Sequence, residues 1–187
     1  MIPAADAAPA PELQVTEWLN VSAHMTLASL RGRVVVIEAF QMLCPGCVLH
    51  GLPQAQTIRR TFGPPDVAVL GLHTVFEHHE AMAPVSLRAF LHEYRIDFPV
   101  GIDAPGPGPV PRTMAAYDQR GTPALTLIDR AGRLRAHHLG QVSDMTVGAQ
   151  IATLVAEESA RDGRGSQHVQ SDRAADPICR PVSGGAT

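Results

Sequence analysis

Not one lysine occurs among the 187 residues; all fifteen basic side chains are arginine. That excludes P-loop nucleotide chemistry and lysine Schiff bases, both of which need an ammonium group. Cysteine is scarce too, with three in the chain, an odd number that makes no secreted disulfide framework. No apolar run approaches the roughly 18 residues of a membrane-spanning helix. Residues 1–11 carry neither a basic leader nor an uninterrupted apolar stretch, so a cytoplasmic location is the expectation for the chain as it stands. A formal net charge of −3 with pI near 6.3 indicates neither a nucleic acid nor an anionic membrane as partner. Internal repeats are absent, and the length suits one domain that buries a full core without staples.

Against this background, Cys44-Pro45-Gly46-Cys47 stands out, directly after the apolar run at residues 33–40. A buried-type strand feeding a Cys-x-x-Cys suits a dithiol redox centre: the strand end presents the cysteines and a following helix tunes them. With Cys44 as N-cap, Pro45 falls at the first helical position, where its fixed φ suits the turn and its missing N–H costs nothing. Cys47 then shares a helix face with Cys44, close enough to bridge to it. Unpartnered N–H groups of the first turn point toward the Cys44 sulfur and favour negative charge on it. Cys44 is thus the expected nucleophile and Cys47 the resolving thiol.

Along the chain, residues 1–12 read as a flexible Ala/Pro lead-in, 13–160 as the domain, and 161–187 as a polar, disordered tail. Expected strands cover residues 14–21 (an edge), 34–40, 67–73, 98–102 and a hairpin at 124–129 and 134–139. A short helical turn at 26–30 closes at Gly32. Helices are expected from the cysteines to about Phe62 with a bend near Pro53, over 85–94, for one turn at 114–117, and over 143–159. In the last, Met145, Ala149, Ala152 and Ala156 share the apolar face, with Leu154 and Val155 nearby. Four prolines and two glycines make 103–111 a loop. The order specifies an α/β fold of thioredoxin type, a central mixed β-sheet flanked by helices, ending in a β-hairpin and a helix.

The strand before the cysteines, the Cys44-x-x-Cys47 and the segment at 120–132 resemble the thioredoxin superfamily, in its TlpA-like and redoxin (AhpC/TSA-related) branch. The resemblance spans about residues 16–158. It implies a cis-proline opposite the dithiol, with Thr122-Pro123 in the matching position, and a Thr122 backbone open to an extended substrate segment. Pro45 and Gly46 complete that substrate-binding surface. It also implies a buried acid, for which Glu38 stands six residues before Cys44. A carboxylate in an apolar strand has a raised pKa and suits removal of the proton from the resolving thiol. Two departures from the family pattern are Leu43, where tryptophan is usual, and Pro-Gly in place of Gly-Pro between the cysteines. The function implied is thiol-disulfide oxidoreduction through a mixed disulfide, with no metal or organic cofactor. Its partners would be a protein or small-molecule disulfide and an upstream thiol reductant.

Pro45-Gly46-Cys47 followed by Pro53 also resembles atypical peroxiredoxins, antioxidant peroxidases in which Cys47 would be peroxidatic. Their Pro-x-x-x-Thr-x-x-Cys pattern fails at Phe40 and at Cys44. A third reading is a non-enzymatic dithiol metallochaperone, with Cys44, Cys47 and a histidine holding a soft ion such as Cu(I). Structural zinc is disfavoured because no second cysteine pair exists. Glu38 has a plainer alternative as the salt-bridge partner of Arg33 or another arginine. The pairs His78-His79 and His137-His138 read as surface residues, since neighbours on a strand point to opposite faces. His50 and His73 flank the cysteine turn, and Cys179 reads as an exposed spare thiol.

Overall fold

Seven consecutive buried residues, Val34–Phe40, form β2 of the computed structural model, which describes residues 1–162. The tail expected beyond them, and Cys179 with it, lies outside the described residues. β-branched side chains favour the pleated conformation, and burial on both faces marks β2 as central. Its neighbour β3 (Val67–His73), likewise buried throughout, pairs with it in parallel from Val34↔Val67 to Phe40↔His73. Added to these are β1 (Val15–Leu19), β4 (Val100–Asp103), β5 (Ala124–Ile128) and β6 (Leu134–Leu139), in the order β1-β4-β3-β2-β5-β6. β2, β3 and β4 run parallel, while β1, β5 and β6 pair antiparallel with their neighbours. This six-stranded mixed sheet flanked by helices is the thioredoxin-like architecture.

Side-chain alternation divides the core in two. On one face, Val34, Val36 and Phe40 meet helices α1 (Leu52–Thr61), α2 (Pro84–Glu93) and α4 (Asp144–Asp162) through Leu52, Ile58, Leu87, Leu91, Val147 and Ile151. On the other, Val35, Ile37 and Ala39 are covered by Leu13, Leu27, Leu30 and Tyr117, the last following the short α3 (Arg112–Ala116). Position 38 has the parity of the first set, so its carboxyl faces the helices.

Two expectations, the inward face of α4 and the free lead-in, are corrected, and the bend near Pro53 is located. The inward face of α4 is Val147, Ile151 and Leu154; Met145 is 87% exposed and Ala149, Ala152 and Ala156 face outward. Large side chains at i, i+4 and i+7 bury more apolar area than an alanine stripe, and packing selects them. The helix carrying the cysteines is disturbed upstream of Pro53, over Cys47–Gly51, where the Leu52 N–H bonds back five residues to the Cys47 carbonyl. A proline ring crowds the carbonyl four residues earlier and leaves it without a donor, so the helix opens there as a wide turn.

The lead-in at 1–12 does not stand free of the domain. Ile2 N–H donates to the Arg135 carbonyl (2.6 Å), Leu134 N–H to the Ala8 carbonyl (2.9 Å) and Ala10 N–H to the Gly132 carbonyl (3.0 Å), with Pro9 bridged to Arg133. The buried Arg135 guanidinium anchors this layer. It donates to the Ile2 carbonyl (2.7 Å), to Asp129 (3.2 Å) and in a fork to Glu157 of α4 (2.6 and 2.8 Å). Removing a buried ion-pair partner leaves charges facing apolar surroundings, so Arg135→Ala is expected to destabilise the domain by on the order of 3 kcal/mol. Urea-unfolding midpoints measure it; a loss below about 1 kcal/mol would place the cluster with ordinary surface pairs.

Candidate active site

The sheet delivers Cys44 at the carboxyl end of β2, beyond a turn in which its N–H donates to the Gln41 carbonyl at 3.1 Å. Pro45 begins the helix, as its fixed φ favours. The helix then lays the Cys47 N–H 3.3 Å from the Cys44 Sγ, and the Cys44 thiol reaches the Thr122 carbonyl at 3.5 Å. Both cysteines are free thiols; Cys44 is half-buried and Cys47 wholly buried. Burial, followed by the neighbouring Cys44 side chain, pushes the Cys47 thiol up to about 12, while the Thr122 side chain and the Gln41 backbone pull more weakly the other way. Cys47 is therefore held as a thiol beside a more accessible sulfur that receives a backbone N–H.

The Thr122-Pro123 peptide is cis and faces the helix from the start of β5. A Cβ at Gly46 would stand 3.2 Å from the Pro123 ring. Exposed Leu43 and Leu49 add apolar surface nearby. Under the wide turn lies Glu38, 1% exposed, with no hydrogen-bond partner for Oε1 among the described residues. The carboxyl fits because residue 51 is glycine: a Cβ there would come within 2.0 Å of Glu38 Oε1. Burial raises the Glu38 pKa to about 8. Among the described residues no arginine forms an ion pair with this oxygen, which disfavours the plainer reading of Glu38.

A cleft of about 280 Å³ next to this carboxyl is lined by Glu38, His50, Pro123 and Gln141, among others. His73 instead packs against the Phe40 ring, centroids 5.3 Å apart, and burial lowers its pKa to about 4. His137 and His138 bond Thr126 Oγ1 (3.1 Å) and Gln150 Oε1 (2.8 Å). No group of three or more His, Cys, Asp or Glu side chains suited to a metal ion is gathered among the described residues. Sequence reasoning missed two participants. One is Gly51, whose signal was a glycine within a helical pattern four residues after Cys47. The other is Gln41, which no spacing rule singles out.

A thioredoxin-like superfamily protein of known crystal structure is 68% identical to this chain, with a TM-score of 0.79, over 80% of this chain and 97% of that one. The chain belongs to the thioredoxin-like superfamily. A second thioredoxin-like relative, described as a thiol-disulfide isomerase from Corynebacterium glutamicum, is 48% identical with a TM-score of 0.76, covering 79% of this chain and 96% of its own. The DipZ proteins of Mycobacterium bovis and Mycobacterium tuberculosis are 29% identical over 135 residues; the match spans 71% of this chain but 18% of their length. No family model matches the chain.

A carboxyl that titrates near pH 8 when folded, against 4.5 as its reference, ties stability to pH. The folded state holds the Glu38 proton where the unfolded state has released it, so stability falls as pH rises toward 8. His73, buried neutral, has the opposite slope between about 4 and 6.5, which leaves 6.5 to 8 as the informative window. There, wild type is expected to lose on the order of 2 kcal/mol relative to Glu38→Gln. Chemical denaturation at several pH values checks this; parallel curves would mean that Glu38 is ionised in the folded state.

Proposed function

We propose that this protein is a thiol-disulfide oxidoreductase in which Cys44 attacks a substrate disulfide and Cys47 resolves the mixed disulfide. The observation that carries the reading is the asymmetry of the pair. The half-buried Cys44 sulfur accepts a backbone N–H at 3.3 Å, whereas Cys47 is buried and held protonated. A nucleophile must be accessible and readily charged, and a resolving thiol must be shielded until its partner is engaged. The likeness to the thiol-disulfide isomerase supports the same chemistry.

Substrate approaches across Pro45, Gly46, Thr122 and Pro123, flanked by Leu43 and Leu49, and Cys44 attacks one sulfur while the other leaves as a thiolate. For the second step Cys47 must lose its proton. Glu38, beneath the turn that begins at Cys47, is the base, and the adjoining cleft gives that proton a route to solvent. A protein or small-molecule disulfide and an upstream thiol reductant complete the cycle, without a metal or organic cofactor. The burial of Cys47 argues against the peroxidase reading, because a peroxidatic sulfur has to meet hydroperoxide as a thiolate. The metallochaperone reading needs a third donor at the pair, and none is gathered there among the described residues.

The classes separate on single-cysteine variants. Cys47→Ser is expected to accumulate a mixed disulfide through Cys44, detected by non-reducing mass spectrometry, because nothing remains to release the adduct. Rapid formation of a Cys47 sulfenate in Cys44→Ser after a stoichiometric peroxide pulse would instead establish a peroxidase.

Resolution itself reports on the base. In wild type the rate of the second step is expected to rise with pH and level off near the Glu38 pKa of about 8. In Glu38→Gln it is expected to be slower by on the order of a hundredfold, while attack by Cys44 changes little. Equal slowing of both steps would assign Glu38 a structural role.

A further inference from the structure

Between the apolar Phe40 and Met42 stands a glutamine that is 1% exposed. A buried primary amide is costly unless its donors and acceptor are satisfied, and an apolar side chain of equal length would fill the space without that cost. Both ends of this amide are committed to one place. Gln41 Oε1 accepts the Phe76 N–H at 3.3 Å, and Gln41 Nε2 donates to Glu77 Oε1 at 3.2 Å. Phe76 and Glu77 lie in the connection leaving β3, whose first residue, Thr74, donates its N–H to the Phe40 carbonyl at 3.1 Å. Two successive residues of the chain thus fasten that connection to the end of β2. The other side of Gln41 is the redox turn: its carbonyl accepts the Cys44 N–H at 3.1 Å, and its backbone also acts on the Cys47 sulfur.

We propose that Gln41 is a positioning residue for the dithiol. Its side chain clamps the β3–α2 connection so that its backbone holds Cys44 and Cys47 in the geometry from which the intramolecular disulfide closes. The inference rests on the oxidoreductase reading and adds what tunes its equilibrium. Pre-organisation of two reacting groups raises their effective concentration, so a clamped turn favours the disulfide and a released turn favours the dithiol. The reaction read is the dithiol plus glutathione disulfide giving the Cys44–Cys47 disulfide plus two glutathione thiols. In the first exchange Cys44 displaces one glutathione as thiolate, and in the second Cys47 displaces the other from the Cys44 sulfur, so two protons and two electrons leave the protein.

The test measures that equilibrium constant in glutathione redox buffers at fixed pH, together with thermal unfolding of the reduced protein. Gln41→Met keeps the length and removes the amide; the constant is expected to fall on the order of fivefold, the worth of about one net hydrogen bond. Glu77→Ala, a change at an exposed position that leaves the core intact, is expected to fall in the same direction by about half that free energy. It should add nothing further in the Gln41→Met background, because that change already removes the one bond through which Glu77 acts. An unchanged constant accompanied by a lower unfolding temperature would make Gln41 structural only and overturn the proposal, as would independent effects of the two changes. A wild-type protein that fails to equilibrate with glutathione would overturn the oxidoreductase reading itself, a result distinct from an unchanged constant in the variants.

Discussion

The redox helix is seated on β2 with no room for a side chain between them. Gly51 meets the Glu38 carboxyl where any Cβ would overlap it, and a Cβ at Gly46 would stand 3.2 Å from the Pro123 ring, tighter than ordinary contact. That close approach depends on several choices made along the chain. The helix opens into a wide turn because Pro53 lacks an N–H, and the widened stretch is Cys47–Gly51, directly above the carboxyl. β2 is buried on both faces, so the carboxyl it presents there has lost its water. The cis Thr122-Pro123 peptide closes the third side from β5.

One physical cause, removal of water, acts on three ionisable groups in this region with different consequences. It raises Glu38 and Cys47, acids that become neutral when buried, and lowers His73, a base that also becomes neutral. Neutral groups are what an interior tolerates. Cys44, at the edge of the same interior, keeps partial contact with solvent and collects a backbone N–H. The pair is therefore differentiated by depth and by the one backbone N–H: two identical side chains three positions apart, one before the helix and one buried within it.

Much of this was legible in residue order. Apolar runs without alternation located β2 and β3, the Arg130-to-Arg133 turn located the β5–β6 hairpin, and Cys-Pro-Gly-Cys after a strand located the site. What was not legible has physical reasons. The buried face of α4 was misassigned because alanine counts as apolar in a periodicity but contributes little area, whereas Val147, Ile151 and Leu154 dominate the packing. The N-terminal segment was assigned mobility from its composition, although its backbone groups find partners on β6 that no local pattern reveals. Gln41 carried no signal because its partners lie at Phe76 and Glu77, more than thirty positions away, and long-range hydrogen bonds leave no periodicity.

The placement of residues 2–10 along β6 has a consequence for how the molecule behaves in a crowd. β6 is the outermost strand of its side of the sheet, and an outermost strand offers unpaired ladder groups to any other chain with a free edge. Here the Gly132 carbonyl, the Leu134 N–H and the Arg135 carbonyl are taken up by Ala10, Ala8 and Ile2, with Pro9, which has no N–H, bridged to Arg133. The segment acts as a selvedge over the first residues of that edge. Fusions or deletions at the amino terminus that pull this strip away would uncover an adhesive edge on a domain whose redox chemistry remained intact, and the symptom would be self-association rather than lost activity.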